Sequence, residues 1–286
     1  MIMVRLFWKI FRAAVVVAAL VALFIQYKYK DEYLEYKQHA VPYLMYHSIG
    51  IVPGWDKDVC IPEELFAQHL QYFSEHGYQV ITAAEARRKL LTGEDVAKNV
   101  VLTFDDGYNN NYTVAYPLLQ KYGYHATFFV IGNSVGGPDY MTYGQLKEMQ
   151  EHGMEIGSHS MSHDPLNIIA TGYLPWEIYQ PINLLRQHLG VYIEGIAYPN
   201  GAYNQAVLAE IHKYPHIKYA LTGKAGCNTT KIVRETPFEL RRMGIYDNGN
   251  GVTGLERRLE KAYLVGFLES KGVPTDWLYK LTVPKI

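Results

Sequence analysis

Val100-Val101-Leu102-Thr103-Phe104-Asp105-Asp106-Gly107 is the stretch on which the fold turns. Its run of β-branched and apolar residues reads as a buried strand. The strand stops in two adjacent carboxylates and a glycine. Like charges side by side at a strand end are costly unless something binds between or beside them. A cation is the simplest answer, and Gly107 lets the backbone turn tightly around it.

To either side, short apolar runs alternate with amphipathic segments. Strands are expected near 41–46, 78–81, 126–131, 155–158, 195–198, 217–222 and 239–245. Helices are expected over 63–76, from Thr82 to Gly93, and over 112–122, 142–151, 175–189, 204–213 and 254–270. Thr82 with Glu85, and Thr142 with Gln145, have the spacing of capping boxes. Strand and helix in turn signal βα units and a parallel sheet. The chemically active residues follow strand ends: His47, Asp105 and Asp106, His159, and Pro199-Asn200-Gly201. A parallel β/α barrel builds its site at that face.

Asp106, His159 and His163 offer one carboxylate and two imidazoles. That is the donor set of a catalytic Zn²⁺ or similar ion with open positions, and Co²⁺, Ni²⁺ and Fe²⁺ accept the same set. His159-Ser160-Met161-Ser162-His163 is an i, i+4 pair, expected on one side of a helical turn. Such a pair alone is common by chance; beside a strand ending in Asp-Asp-Gly it is far more specific. Asp105 is then free to take a proton from water acidified by the ion. Pro199 has no N–H, so the Asn200 amide is the candidate oxyanion donor of that turn. His47, at a strand end, suits protonation of a leaving amine.

The chain has 286 residues and a net charge of −1, which argues against a nucleic-acid partner held by phosphate electrostatics. Its 25 tyrosines suit sugar stacking but mostly read as core and wet-tipped packing residues. Cys60 and Cys227 form no metal or disulfide framework; they either pair once or stay as small hydrophobes. Residues 1–27 carry Arg5, Lys9 and Arg12 and then an apolar run from Ala13 to Ile25. This reads as an uncleaved transmembrane anchor with its N-terminus in the cytoplasm. Residues 28–40 read as a helical stalk, and 41–286 as the folded domain, with a C-terminal helical extension from about 246.

Thr103-Phe104-Asp105-Asp106-Gly107, His159-Ser160-Met161-Ser162-His163 and Tyr198-Pro199-Asn200-Gly201 together resemble the polysaccharide deacetylase family. This is carbohydrate esterase family 4, with the nodulation-protein-B homology domain. The resemblance runs from residue 41 to about 245. It implies a distorted (β/α)₇ barrel and metal-dependent removal of N- or O-acetyl groups from glycans. It also implies Asp106, His159 and His163 as metal ligands and Asp105 as base. Two motifs depart from the common pattern. Ala197-Tyr198-Pro199-Asn200 stands where many members have Arg-x-Pro-Tyr, and Leu221-Thr222-Gly223 lacks the histidine of a late Leu-x-His. These departures resemble the subgroup acting on poly-N-acetylglucosamine. There, a Tyr-His near the domain start supplies the acid, matched here by Tyr46-His47, and a late strand supplies an arginine. Arg242 is the expected partner of Asp105, with Arg241 facing away by strand alternation.

The resulting expectation is a membrane-anchored, extracytoplasmic deacetylase of an N-acetylhexosamine polymer: poly-N-acetylglucosamine, peptidoglycan or a chitin-like chain. Two alternatives are a small cyclic-amide amidohydrolase and a catalytically silent glycan-binding module. The silent module requires His47 and Arg242 to lie far from Asp105.

Overall fold

Asn99–Phe104 is a strand buried at every position. The structure is a computed structural model that describes residues 28–50 and 59–275. Helix α1 spans residues 28–38. Strands β1 (Ala40–Tyr46), β2 (Ser48–Ile49) and β3 (Cys60–Ile61) follow, then α2 (Glu63–Glu75), β4 (Gln79–Ile81), α3 (Ala83–Thr92) and β5 (Asn99–Phe104). Next come α4 (Tyr116–Lys121), β6 (Thr127–Val130), α5 (Tyr143–Glu151), β7 (Glu155–Ser158), α6 (Leu174–Leu189), β8 (Gly195–Ala197), α7 (Gln205–Ile211) and β9 (Tyr219–Leu221). The last elements are β10 (Cys227–Thr229), α8 (Thr230–Glu235), β11 (Met243–Gly244) and α9 (Gly251–Ser270).

The main sheet runs β1-β5-β6-β7-β8-β9 in parallel. β4 pairs along the first half of β5, and β10 lies antiparallel on the start of β1. Segment 240–244 brings the two edges together. Leu240 bridges Leu221 of β9, while Met243 and Gly244 pair with Leu44 and Met45 of β1. The result is a curled parallel α/β sheet, consistent with the (β/α)₇ architecture expected from the sequence.

Strand alternation sorts the side chains into two cores. Leu44, Tyr46, Val100, Leu102, Phe104 and Phe128 face the helices and join the larger core. Val41, Tyr43, Val101, Phe129, Tyr219 and Leu221 form a second core. Tyr46, Phe104 and Phe128 are register partners on adjacent strands. They stack in a row, with ring centroids 5.4 and 4.7 Å apart. One residue further along its strand, Asp105 falls on the opposite face from Phe104, in line with Val101 and Thr103. His47 likewise falls in line with Tyr43 and Met45.

Of the two expected capping boxes, one is complete and one half made. The Thr82 hydroxyl accepts from the Glu85 amide, and Thr142 with Gln145 makes the full reciprocal box. The helix expected at 112–122 is not uniform: residues Asn111–Ala115 are π-helical before α4 begins. The strand expected at 239–245 pairs only at Leu240 and over Met243–Gly244. The polar stretch after β9, assigned no element from the sequence, contains β10 and α8. Cys60 and Cys227 are buried and unpaired.

The transmembrane anchor expected at 1–27, and Trp55, lie outside the described residues. Among the described residues, no helix is long and apolar enough to cross a membrane. The stretch read as a stalk is helical over 28–38 and is docked on α9. Tyr29, Tyr33 and Tyr36 pack around Phe267 with centroids 6.3, 5.3 and 5.8 Å away. Lys37 Nζ lies 2.9 Å from Glu260, and Lys271 pairs with Glu32, so the two helices run antiparallel.

Candidate metal centre and active site

The site is assembled from strand ends. β5 delivers Asp105 and Asp106. Asp106 and Gly107 both have positive φ, 74° and 83°. A Cβ on Gly107 would lie 2.8 Å from Val130 Cγ1, so both the turn and its approach to β6 require glycine. β7 ends at Ser158 and delivers His159 directly.

The His159–His163 segment is not the helical turn expected from its spacing. It is an irregular loop in which Ser160 and His163 have positive φ, 63° and 70°. Backbone reversal, rather than helical periodicity, brings the two rings within 4.8 Å of each other. Asp106, His159 and His163 each present one ligand atom, and these atoms all lie within 4.8 Å of one another.

The donor chemistry fits a cation. His159 Nδ1 lies 2.8 Å from the Ala197 carbonyl, which can only accept, so Nδ1 carries the proton. Burial pushes the His159 imidazole below its ordinary value, against the pull of Asp105 and Asp106, so the ring is neutral at pH 7. Its Nε2 therefore turns a lone pair toward Asp106 Oδ1, 3.5 Å away. His163 Nε2 approaches the same oxygen at 3.3 Å. That oxygen is buried and has no hydrogen-bond partner among the described residues. A lone pair facing an unsatisfied anionic oxygen repels it, and a divalent ion between them removes the conflict.

Asp105 is 2% exposed and differently supported. Arg242 Nη1 donates to its Oδ1 at 2.6 Å, while Arg242 Nε donates to the Thr222 carbonyl at 3.1 Å. Arg242 is itself 1% exposed, with its guanidinium 5.9 Å from the Phe129 ring centre. Burial alone would raise the Asp105 carboxyl. The Arg242 charge, with the neighbouring His159, the Arg242 hydrogen bond and the nearby His47, outweighs it and holds the group at about 2. Oδ2 lies 3.8 Å from His159 Nε2. Arg241 points elsewhere and pairs with Glu269 at 2.5 Å.

His47 is half-buried, close enough to Asp105 to favour its ionised form, and its Nδ1 is enclosed without a hydrogen-bond partner. Asn200 has φ 55° within the turn Pro199–Gly201. The turn's bonds run from Gly201 N to Tyr198 O and from Ala202 N to Pro199 O, and neither uses the Asn200 amide. The sequence reading passed over Tyr108. Burial, then the charge of the nearby Asp106, raises its phenol above its ordinary value. Its place directly after Gly107 was the available signal.

A family model for polysaccharide deacetylases matches residues 92–217. The deacetylase PplD of Streptococcus pyogenes, solved in complex with acetate, is 30% identical and superposes with a TM-score of 0.70 over 79% of this chain and 99% of that one. The chain belongs to the polysaccharide deacetylase family. The family member BC0361 of Bacillus cereus superposes with a TM-score of 0.69 at 26% identity, over 78% of this chain and 69% of that one. YxkH of Bacillus subtilis (strain 168) is 36% identical over 178 residues, 62% of each chain. The poly-beta-1,6-N-acetyl-D-glucosamine N-deacetylase of Escherichia coli (strain K12) is 30% identical over 149 residues, 46% of this chain and 22% of the other. This deacetylase-family chain thus spans only part of those two curated relatives.

Proposed function

We propose that this protein is a metal-dependent hydrolase that removes acetyl groups from an N-acetylhexosamine-containing polysaccharide. The observation that carries this reading is the pair of unlike carboxylates: Asp106 Oδ1, buried and unpartnered between two imidazoles, beside Asp105, bound by Arg242. Asp106, His159 and His163 would hold the ion. Arg242 occupies Asp105 Oδ1, so Oδ2 is the oxygen left to accept a proton from the attacking water. A carboxylate held at about 2 accepts protons only from an acid stronger than free water. A bound ion would supply such an acid, since metal-bound water can have a pKa of about 7, and would polarise the acetyl carbonyl. The Asn200 N–H would bind the developing oxyanion, and His47 would protonate the departing amine.

A silent glycan-binding module would leave Arg242 and His47 remote from Asp105. The 2.6 Å contact to Arg242 and the influence of His47 on the same carboxyl favour catalysis instead. The substrate class rests on the relatives named above and on the Tyr46-His47 and Arg242 placements. We also place the catalytic domain outside the cytoplasm, anchored by residues 1–27, from the basic and apolar order of that segment.

The test is acetate release by the full chain in detergent. Metal is stripped and then restored as Zn²⁺, Co²⁺ or Ni²⁺, and N-acetylglucosamine oligomers are compared with peptidoglycan and acetylated xylan. Metal-dependent release from the amino-sugar polymers is expected. Absence of acetate from every glycan with every metal would overturn the proposal.

A further inference from the structure

The loop from His159 to His163 holds two imidazoles on one point while carrying left-handed backbone at Ser160 and His163. Such backbone is unfavourable and persists only where its surroundings over-determine it. Part of that constraint comes from the β6 side: Gly132 N donates to Ser160 O and Asn133 N to Met161 O, each at 2.9 Å. The two amides in the middle of the loop, Met161 and Ser162, are taken up from the opposite side by one residue. Glu177 Oε2 accepts from Met161 N at 3.2 Å and from Ser162 N at 3.0 Å. The Glu177 backbone carbonyl also accepts from Met161 N, at 3.1 Å.

Glu177 lies in the first turn of α6 and is 6% exposed. No lysine, arginine or histidine forms an ion pair with it among the described residues. A buried carboxylate without a counter-ion is unfavourable unless charge-assisted bonds offset it. Here those bonds come from consecutive amides of the metal loop, helped by the positive end of the α6 dipole. A role confined to helix stability would not aim the carboxylate at Met161 and Ser162.

We propose that Glu177 is a positioning residue of the metal centre: by clamping the Met161 and Ser162 amides, it fixes how His159 and His163 converge and so sets cation affinity. This rests on the reading of Asp106, His159 and His163 as metal ligands. Removing groups that orient metal ligands typically weakens affinity about 10- to 100-fold.

The experiment measures zinc affinity of the full chain in detergent by competition with a chromophoric chelator, alongside thermal melting of the metal-free protein. Glu177→Ala is expected to bind zinc about 10- to 100-fold more weakly. Glu177→Gln, which keeps one acceptor oxygen, should recover part of that loss. Ile178→Ala, a neighbouring core truncation, should lower the melting temperature yet bind zinc as the parent does. Parent-like affinity in Glu177→Ala overturns the proposal, as does an equal loss in Ile178→Ala. If Glu177→Ala does not fold, Glu177→Asp, whose side chain is one methylene shorter, decides: zinc binding weaker than the parent's supports the clamp, and parent-like binding overturns it. A parent that takes up no zinc overturns the metal reading itself, a result distinct from any difference among the variants.

Discussion

Two enclosed carboxyl groups, one at each end of the sheet, behave in opposite ways. Asp105 follows the C-terminal end of β5, and Glu155 opens β7 at the other end. Asp105 is buried and Glu155 half-buried, and for both, burial is the largest influence. Glu155 receives hydrogen bonds from the Tyr219 and Thr127 hydroxyls and the Ala84 amide, yet its carboxyl still lies above its ordinary value. Asp105 has a full positive charge at 2.6 Å and is held at about 2. Neutral donors can satisfy a buried carboxyl group. At Asp105 a cation holds the group ionised, whereas at Glu155 three neutral donors do not offset burial. Depth alone therefore does not mark a reactive acid; the charge of its partner does.

The contrast can be broken at four points. The largest effect is expected from Asp105→Asn, which removes the proton acceptor. It should lower kcat by about 10²–10⁴-fold with zinc content unchanged, as read by acetate release and metal analysis. Next is Arg242→Met, which leaves Asp105 buried without its cation. It should destabilise the fold by about 3–5 kcal/mol in urea unfolding and raise the pH at which activity begins. The sign follows from the parent protein. The folded Asp105 value lies below the unfolded one, so its ionisation adds stability above about pH 4 that is lost as pH falls toward 2. Asn200→Gly keeps the proposed oxyanion N–H and tolerates φ 55°, so kcat should stay within about tenfold of the parent; a loss of about 10²–10³-fold would show that the Asn200 side chain, not its backbone amide, serves the site. The smallest effect is expected from Glu155→Gln. The raised carboxyl of Glu155 makes the parent fold lose stability as pH climbs past the unfolded value. The amide should abolish that slope and change neutral stability by no more than about 1 kcal/mol. A large loss of activity in Glu155→Gln would undo the distinction between the two ends.

Asp105-Asp106-Gly107 was legible because a strand written in valine and leucine has no local reason to end in two acids. Asp106, His159 and His163 could be listed together from residue type and strand order. How the histidines converge could not be read. Their spacing suggests a helix, and the loop instead uses positive φ at Ser160 and His163, which the spacing does not announce. Arg242 was separable from Arg241 by alternation, although only Met243–Gly244 continues as a paired strand. Glu177 was invisible for a different reason: an acid in the first turn of a helix already has an ordinary explanation in the dipole. β10 and α8 were lost in a polar stretch too short to show a period.

The docking of α1 on α9 has a consequence for handling the protein. Gly266 leaves a notch so tight that a Cβ there would collide with the Tyr36 hydroxyl, and neighbouring Phe267 is only 5% exposed under the tyrosines of α1. Proteolysis after His39 would detach that cover without touching a barrel strand. The uncovered aromatic strip would then make the trimmed domain stick to itself, so loss of solubility, rather than loss of fold, is the expected signature of a clipped preparation.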